Sequence, residues 1–378
     1  MSNLNWIEQR RAARARLPRF LFDYADGGAG SEATMARNLA DLEAVTLRQR
    51  VLCDVSEIRL DTVLLGRPMS MPVVLGPIGM AGMYARRGEV QAKDAADGHG
   101  VPFCLSTVSV CPLGEVAAQG APDPWFQLYV MKDRGFLKSL MDEAWALGVT
   151  TLVLTVDMPV PGIRQRDTRS GLSGRGAPTR RLLQALARPR WAFDVGLWGR
   201  PHTLGNIAPA LGGRSGLSDF MGWIGQNFDP TITWGDLEAI RSDWKGSLIL
   251  KGVLDVQNAR QAVDVGVDAI VVSNHGGRQL DGAISTARAL PSVVEAVGDR
   301  VSVMADSGVR SGTDIVRMLA LGAQAVWLGR LWVFALATGG AAGVSLMLKT
   351  LRQEMAVAMA LTGCASLEDV TSEVLDPR

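Results

Sequence analysis

The sequence predicts a single (β/α)8 barrel, or TIM barrel, in which residues 1–378 form one domain. Three observations indicate this fold. Eight short apolar runs follow one another along the chain, most are separated by segments with apolar residues three and four positions apart, and 47% of the 378 residues are hydrophobic. Eight such units in series favour a closed barrel over an open, doubly wound sheet.

The eight apolar runs are the expected strands. Their apolar residues are continuous rather than alternating, which is typical of parallel strands covered on both faces. The runs lie at residues 73–79, 103–107, 125–130, 151–157, 248–253, 269–274, 301–307 and 325–330. Helix-like spacing is found between them, at residues 136–147, 256–265 and 313–321. We therefore expect the barrel itself at about residues 73–345.

The regular spacing is interrupted once, after the fourth strand. About 90 residues separate Asp157 from Leu248, far more than a βα loop needs. We expect an insertion at about residues 160–245 that covers the active site. Its first part is rich in arginine, interleaved with tryptophan and phenylalanine. Two interpretations of the 165–230 segment stay open: a solvated lid, or a peripheral membrane contact.

Composition and charge limit the partners. With 39 basic and 38 acidic residues the net charge is +1, which argues against a nucleic-acid-binding protein. Cys53, Cys104, Cys111 and Cys364 form no CxxC pair, so we expect buried free thiols in a reducing compartment and no metal site. No apolar signal core follows the N-terminal arginines before Pro18, which favours a cytoplasmic protein.

An uncharged stretch at residues 331–348 has the length of a marginal membrane span. Thr338, Gly339, Gly340 and Gly343 interrupt it, and each glycine costs about 1 kcal/mol in a helix interior. We therefore expect two buried helical pieces joined by a turn.

Chemistry is expected where the strands end, because a barrel of this kind takes its reacting groups from the carboxyl ends of its strands. Capping the strand ends does not by itself require a histidine, a lysine and two acids at such positions. The polar or glycine residues that close the runs are Gly79, Ser106, Gln127, Tyr129, Thr155, Asp157, Lys251, Ser273, His275, Asp306 and Arg330.

The last two units indicate a phosphate site. The loop after the seventh run contains Gly308 and Arg310, and the eighth run closes on Gly329 and Arg330. Glycine amides with an arginine after strands seven and eight commonly hold a phosphate in such barrels. We therefore expect a phosphorylated cofactor or substrate.

The run SNHGGRQLD at residues 273–281 is the most specific motif. It places His275 at a strand end, beside two glycines, with Arg278 three residues further on. A proton acceptor next to an anion clamp suits a substrate that is both an acid and an alcohol. His99 and His202 lack this setting, so we expect His275 to be the base.

These motifs resemble the FMN-dependent L-2-hydroxy acid dehydrogenases and oxidases, whose signature surrounds the base. The resemblance covers nearly the whole chain. It is carried by the runs FDY (22–24), WFQLY (125–129), TVD (155–157), SNHGGRQLD (273–281) and DSGVR (306–310). The runs MYARRGEV (83–90) and LSTVSVCP (105–112) are similar to the bacterial respiratory L-lactate dehydrogenases in particular.

The resemblance implies FMN as the cofactor. Ser106, Gln127 and Thr155 would bind the isoalloxazine ring, and the backbone near Gly79 would approach its N5 atom. Lys251 would stabilise the anionic reduced ring. The complete cofactor-binding set that we expect is Gly79, Ser106, Gln127, Thr155, Lys251, Ser273, Asp306, Gly308, Arg310, Gly329 and Arg330.

The resemblance also implies the catalytic and substrate-binding groups. His275 would be the base, oriented by Asp157. Arg164 and Arg278 would clamp the substrate carboxylate. The carboxylate and the reacting hydroxyl would accept hydrogen bonds from two tyrosines, Tyr24 and Tyr129.

The expected reaction is oxidation of an L-2-hydroxy acid, with L-lactate to pyruvate favoured, and delivery of electrons to a membrane quinone or other carrier on the cytoplasmic face of the inner membrane. The resemblance further implies a homotetramer. Val108, with Ala81 and Pro161, would shape the side-chain pocket, which leaves longer or aromatic acids open. An oxidase that reduces oxygen to hydrogen peroxide is the alternative, and a barrel lyase using Lys251 as a Schiff base is a more distant one.

Overall fold

The computed structural model describes residues 5–211 and 226–376. An antiparallel hairpin, β1 (Thr62–Leu64) and β2 (Arg67–Met69), precedes the barrel. The barrel strands are β3 (Val73–Leu75), β4 (Cys104–Ser106), β5 (Trp125–Tyr129), β6 (Thr151–Thr155), β7 (Ser247–Val253), β8 (Ala269–Val272), β9 (Ser302–Ala305) and β10 (Val326–Leu328). All eight predicted strands are confirmed. All but β7, which begins one residue before its run, are shorter than their apolar runs, because the last residues of most runs leave the sheet for the loops.

The eight parallel strands form a nearly closed barrel in the order β3, β10, β9, β8, β7, β6, β5, β4. The remaining seam lies between β3 and β4, where Leu75 pairs with Phe103 and the Leu75 amide donates to the Pro102 carbonyl at 2.9 Å. The predicted barrel is therefore confirmed. Its carboxyl-terminal mouth gathers the loops that follow all eight strands.

A helix follows every barrel strand. The helices after β3 to β10 are, in order, Gly88–Gly98, Leu113–Ala117, Arg134–Ala146, Trp234–Asp243, Val256–Val265, Thr286–Val297, Gly312–Ala320 and Arg330–Leu361. The predicted helices at 136–147, 256–265 and 313–321 are confirmed to within two residues. Side-chain caps fix the residue at which several of these helices begin. Asp133 accepts from the Phe136 amide, and Asp255 accepts from the amides of Gln257 and Asn258.

Three helices before the barrel cover its mouth and one side, at Trp6–Arg16, Arg19–Asp26 and Ala33–Glu43. The long segment between β6 and Trp234 packs on the first two. The Phe20 amide donates to Gln184 at 2.8 Å, and Arg16 pairs with Asp194 at 3.2 Å. The segment forms Gln165–Ser170, Ala177–Leu186, Pro189–Trp191, a π-helical turn at Ala192–Leu197 and a 3-10 turn at Pro209–Leu211. Residues 212–225 of the predicted insertion lie outside the described residues.

The final barrel helix, Arg330–Leu361, is broken at Gly340, whose φ of 60° and ψ of −146° are not helical. Two helical pieces joined at a glycine were expected, and the structure confirms them. In the described ranges this is the one helix long and apolar enough to cross a membrane. Most of its apolar window, 61%, is buried within the protein, against the helices Gly88–Gly98 and Gly312–Ala320.

The cysteines are all free thiols, as predicted, but their burial differs. Cys104, Cys111 and Cys364 are buried, whereas Cys53 is exposed. The expectation of burial is wrong for Cys53, because it lies in an irregular surface segment that precedes the hairpin and offers no helix or strand to pack beneath.

Candidate active site

A cavity of about 220 Å³ opens at the carboxyl ends of the barrel strands. It lies where a (β/α)8 barrel carries its chemistry. Fifteen of the residues singled out from the sequence line it, namely Tyr24, Gly79, Val108, Tyr129, Thr155, Pro161, Arg164, Lys251, His275, Arg278, Asp306, Gly308, Arg310, Gly329 and Arg330. Residues spread over about 300 positions of sequence thus share one cavity.

The His275 ring is held by Asp157. Its Nδ1 atom lies 2.9 Å from Oδ1 of Asp157, whose side chain is only 11% exposed. Burial alone would raise the pKa of Asp157, but the adjacent His275 and the charge of Lys251 together outweigh burial and lower that pKa. The carboxylate is therefore ionised. Because an ionised carboxylate can only accept, Nδ1 of His275 carries the hydrogen in this contact, and Nε2 is the ring nitrogen that can accept a proton.

The turn after β8 aims this histidine. His275 has a left-handed backbone with φ of 57°, a conformation that is uncommon for a non-glycine residue, and Gly276 and Gly277 follow with φ of 67° and 74°. The Ser273 hydroxyl accepts from the His275 amide at 3.0 Å, and Ser307 accepts from the Gly276 amide at 3.0 Å. Side chains of the loops therefore stabilise an unfavourable turn.

Arg164 and Arg278 flank the aromatic ring of Tyr24. Their guanidinium carbons lie 5.7 and 4.8 Å from its centroid. Burial, and then repulsion from Arg164, lowers the pKa of Arg278. An anion between the two arginines would relieve that repulsion, which is the electrostatic character of a carboxylate clamp.

Tyr129 presents a second phenol to the cavity, and its ring contacts that of Phe228 at a tilt of 30° with the centroids 4.8 Å apart. Burial, reinforced by the charge of Asp157, raises the pKa of Tyr129 well above its ordinary value. Its hydroxyl therefore stays protonated and able to donate a hydrogen bond throughout the neutral range.

Lys251 lies at the end of β7, between an acid and a hydroxyl. Its ammonium donates to Ser273 at 2.8 Å and pairs with Asp306 at 2.8 Å. Burial works to lower the pKa of Lys251, but Asp306 and Asp157 outweigh it, so the pKa is raised. A fixed positive charge thus faces the cavity.

The residues expected at a flavin ring fit that group. The Ser106 hydroxyl donates to Oε1 of Gln127 at 3.1 Å, but Nε2 of Gln127 and Oγ1 of Thr155 are buried without a hydrogen-bond partner in the described parts of the chain. Buried polar groups in native proteins are nearly always satisfied. A ring with carbonyl and imino groups along one edge would satisfy both.

The residues expected at the phosphate also fit. Burial lowers the pKa of Arg310 to about 10, and its Nε atom is buried without a partner among the described residues. Burial, followed by repulsion from Arg310, lowers the pKa of Arg330 well below its ordinary value. Arg330 donates to the carbonyls of Ala25, Gly27 and Gly276 at 2.8 to 3.0 Å. Two buried cations with backbone rather than carboxylate partners are suited to a phosphate.

Several predicted residues lie behind the cavity wall rather than in it. Asp157 contacts His275, and Ser273 contacts Lys251. Ser106 contacts Gln127, which is fully buried and does not line the cavity either. Ala81 was expected in the side-chain pocket but is fully buried and does not line it. The chain turns at Met80, with φ of 58°, and directs Ala81 into the core.

The sequence reasoning missed Ser307 and Tyr84. Ser307 lines the cavity, donates to Asp306 at 2.7 Å and supports the base loop, and its place beside Asp306 in the DSGVR run was an available signal. Tyr84 also lines the cavity, with its hydroxyl donating to the Leu21 carbonyl at 3.1 Å. Its position in an irregular turn gave no such signal.

Fold and site together define a barrel oxidoreductase whose cofactor carries a phosphate. The model of the family described as FMN-dependent dehydrogenase matches residues 13–377. The chain therefore belongs to the FMN-dependent dehydrogenase family, and its cofactor is FMN.

Similar proteins span the whole chain. An L-lactate dehydrogenase of Caulobacter sp. (strain K31) is 60% identical over 97% of this chain and 96% of its own, and one of Yersinia pestis (strain Pestoides F) is 58% identical over 97% of both. Among solved structures, the monotopic membrane protein (S)-mandelate dehydrogenase matches with a TM-score of 0.93 and 34% identity over 100% of both chains. A mandelate oxidase with (S)-4-hydroxymandelic acid matches with a TM-score of 0.85 and 36% identity over 98% of both.

Proposed function

We propose that this enzyme oxidises an L-2-hydroxy acid to the 2-oxo acid, with L-lactate to pyruvate as its preferred reaction. The observation that carries the proposal is the pairing of His275 with Asp157 at 2.9 Å in one cavity with Arg164 and Arg278. Relatives about 60% identical that are named L-lactate dehydrogenase support this choice of substrate.

In this proposal the substrate carboxylate lies between Arg164 and Arg278, and Tyr24 donates to it. Tyr129 donates to the oxygen of the reacting hydroxyl. His275 takes the substrate proton on Nε2, and the ionised Asp157 stabilises the imidazolium that results. Bound FMN supplies the acceptor for the two electrons.

The remaining polar groups would hold FMN. Gln127 and Thr155 would use their free polar atoms on the ring, with Lys251 at its pyrimidine edge. Asp306 would hydrogen-bond the ribityl chain. Arg310 and Arg330 would hold the phosphate together with the amides near Gly308 and Gly329.

The enzyme is further proposed to pass its electrons to a membrane quinone. The insertion carries five large apolar side chains that are each 60–69% exposed, and we call them the apolar ridge: Leu182, Leu183, Leu186, Phe193 and Trp198. An exposed apolar patch of this kind is typical of an interaction surface, and its arginine-rich surroundings suit an interface with anionic lipid. The structural similarity to a monotopic membrane dehydrogenase supports the same interpretation.

A second candidate is an oxidase that reduces oxygen to hydrogen peroxide. It is favoured by the similarity to mandelate oxidase structures. Peroxide formed per substrate oxidised separates the two: a value near one supports the oxidase, and a value near zero with rapid quinone reduction supports the dehydrogenase. The homotetramer and the cytoplasmic location stay predictions.

The decisive test is anaerobic bleaching of the flavin absorbance by a panel of 2-hydroxy acids. We expect L-lactate to bleach the holoenzyme fastest and D-lactate to leave it oxidised. Absence of bleaching by every L-2-hydroxy acid would overturn the proposal. Membrane contact is tested separately by flotation with phosphatidylcholine vesicles, where Leu182→Ser with Leu186→Ser should reduce binding but leave the rate of bleaching unchanged.

A further inference from the structure

A second cleft, of about 480 Å³, lies outside the active site and is unusually basic. We name it the arginine cleft. It is lined by Arg10, Arg14, Leu17, Arg19, Phe22, Asp23, Arg166, Arg169 and Arg188. Six arginines thus face a single acid, although the chain as a whole carries a net charge of only +1. The fold has concentrated positive charge at this one place.

Three of these arginines are held by carboxylates. Arg10 pairs with Asp26 through two hydrogen bonds of 2.5 and 2.6 Å. Arg166 contacts Asp26 and Asp23 at 2.7 and 2.9 Å, and Arg19 contacts Asp23 at 3.1 Å. The pairs of Arg166 join the insertion to the second N-terminal helix, and the other two pairs lie within the N-terminal helices.

The other three arginines are not neutralised. In the parts of the chain that the structure describes, Arg14, Arg169 and Arg188 have no ion pair with a carboxylate. Arg169 donates to the Gln165 amide oxygen at 3.0 Å, Arg188 donates to the Leu17 carbonyl at 3.2 Å, and Arg14 lies over Phe22 at 5.9 Å. The cleft therefore presents three positioned guanidinium groups, each with donors to spare for an anion.

The cleft lies beside the apolar ridge. Arg188 lines the cleft and follows Leu186 of the ridge by two residues. The ion pair between Arg16 and Asp194 ties the N-terminal helix to the turn that carries Phe193. Cationic side chains next to exposed leucine and aromatic residues match the layered chemistry of a bilayer surface, in which phosphate groups lie just outside the acyl chains.

We propose that the arginine cleft binds the phosphate of an anionic glycerophospholipid whose acyl chains meet the apolar ridge. This inference rests on the proposed membrane contact and adds a specific headgroup site to it. Guanidinium forks bind phosphate oxygens in pairs, so three unneutralised arginines in one cleft provide recognition beyond diffuse attraction to a charged surface.

The test compares two triple variants of the holoenzyme. The cleft variant carries Arg14→Gln, Arg169→Gln and Arg188→Gln. The control variant carries Arg11→Gln, Arg175→Gln and Arg190→Gln, which removes the same charge from exposed arginines outside the cleft. Flavin content and unfolding temperature are measured first for both. Binding is then measured by flotation with vesicles of phosphatidylcholine alone and with phosphatidylglycerol added.

Wild type is expected to bind phosphatidylglycerol vesicles more tightly than phosphatidylcholine vesicles. Each arginine at an anionic surface contributes roughly fivefold in binding. The cleft variant should therefore lose one to two orders of magnitude of its preference for phosphatidylglycerol, because its three arginines contact the headgroup in the proposed site. The control variant should keep most of the preference, because its three arginines lie outside the cleft and do not contact the headgroup. Equal losses in the two variants would overturn the proposal, because diffuse attraction would then explain the preference.

Two further outcomes separate the headgroup site from the membrane contact on which it rests. If the cleft variant still binds phosphatidylcholine vesicles as wild type does, the ridge is intact and only the headgroup site has been removed. If wild type binds neither kind of vesicle, the membrane contact itself fails and the headgroup site with it. The last outcome concerns a free anion. Inorganic phosphate could raise the unfolding temperature of wild type but not of the cleft variant, while wild type shows no preference for phosphatidylglycerol. The cleft would then bind free phosphate, and the proposal that its ligand is a lipid would be overturned.

Discussion

The Nδ1 atom of His275 lies 2.9 Å from Oδ1 of Asp157, and a left-handed backbone at His275 keeps the ring in that contact. The acid comes from the loop after β6 and the base from the loop after β8. The strands of the barrel thus set the orientation of a ring that its own short turn could not maintain alone.

The first prediction concerns this pair. Asp157→Asn should lower the rate constant for anaerobic flavin reduction by about 10²- to 10⁴-fold, because the amide cannot stabilise the imidazolium and favours the wrong ring tautomer. Stopped-flow absorbance of the reconstituted variant measures it. His275→Ala should retain bound FMN and lose reduction by substrate, and a variant that is still reduced at the wild-type rate would show that His275 is not the base.

The second prediction concerns the phosphate. Arg310 is buried, its Nε atom has no hydrogen-bond partner within residues 5–211 and 226–376, and its guanidinium lies 4.3 Å over the Trp6 ring. Arg310→Gln should weaken FMN binding by about 10- to 100-fold, the range of a lost charge-assisted hydrogen bond. Fluorescence titration of the apoprotein measures it, with riboflavin as the matched ligand. Riboflavin lacks the phosphate, so equal weakening of both ligands would contradict the assignment.

The third prediction concerns the substrate side chain. Val108 lines the cavity, and a Cβ atom placed on Gly79 would meet its Cγ2 atom at 2.8 Å, so the wall is tight at this point. Val108→Ala should raise the ratio of kcat/KM for L-2-hydroxybutyrate to that for L-lactate by about tenfold, since one methylene changes binding by about 1–3 kcal/mol. Val110→Ala is the control, because Val110 is equally buried but does not line the cavity. An unchanged ratio in the Val108 variant would remove Val108 from the pocket wall.

The fourth prediction concerns acid stability. Hydrogen bonds from the Ser31 hydroxyl and the Thr34 amide lower the pKa of Asp281 from 3.8 to about 2. A lowered carboxyl pKa stabilises the fold fully above 3.8, and this stabilisation is lost as the pH falls towards 2. Asp281→Ala should therefore lower the free energy of unfolding by about 1–2 kcal/mol at pH 6 and by about half as much at pH 3.

Urea unfolding followed by tryptophan fluorescence at both pH values measures the effect at Asp281. Asp264→Ala, which breaks an exposed pair with Arg300, should change stability little at either pH. If the loss of unfolding free energy in the Asp281 variant did not vary with pH, the stabilisation by Asp281 would not come from its ionised carboxylate.

The strands and the positions of most candidate residues could be predicted because a barrel obeys a simple rule. Apolar runs become strands, and the residues that follow them meet at one mouth. Lys251, His275 and Asp306 follow from that rule alone. The expected pairing of Asp157 with His275, rather than with Arg164 or Arg166, came from the family resemblance, because spacing cannot tell which of several nearby cations a carboxylate will contact.

Contacts between distant segments could not be predicted. Nothing in the N-terminal sequence shows that Trp6 lies against Arg310. Nor does it show that Arg166 of the insertion forms ion pairs with three acids that precede the barrel, Asp23, Asp26 and Glu32. Such pairings depend on how the helices before the barrel pack on it. The burial of Ala81 was missed for a similar reason, since one left-handed residue, Met80, reverses the direction of the chain.

The contacts of Arg330 join segments that are far apart in sequence. Its guanidinium donates to the carbonyls of Ala25 and Gly27, next to the second helix before the barrel, and to that of Gly276 in the turn that carries the base. One side chain of the last barrel helix therefore links the N-terminal helices, the His275 turn and the expected phosphate site, so that a change at residue 330 is felt at all three.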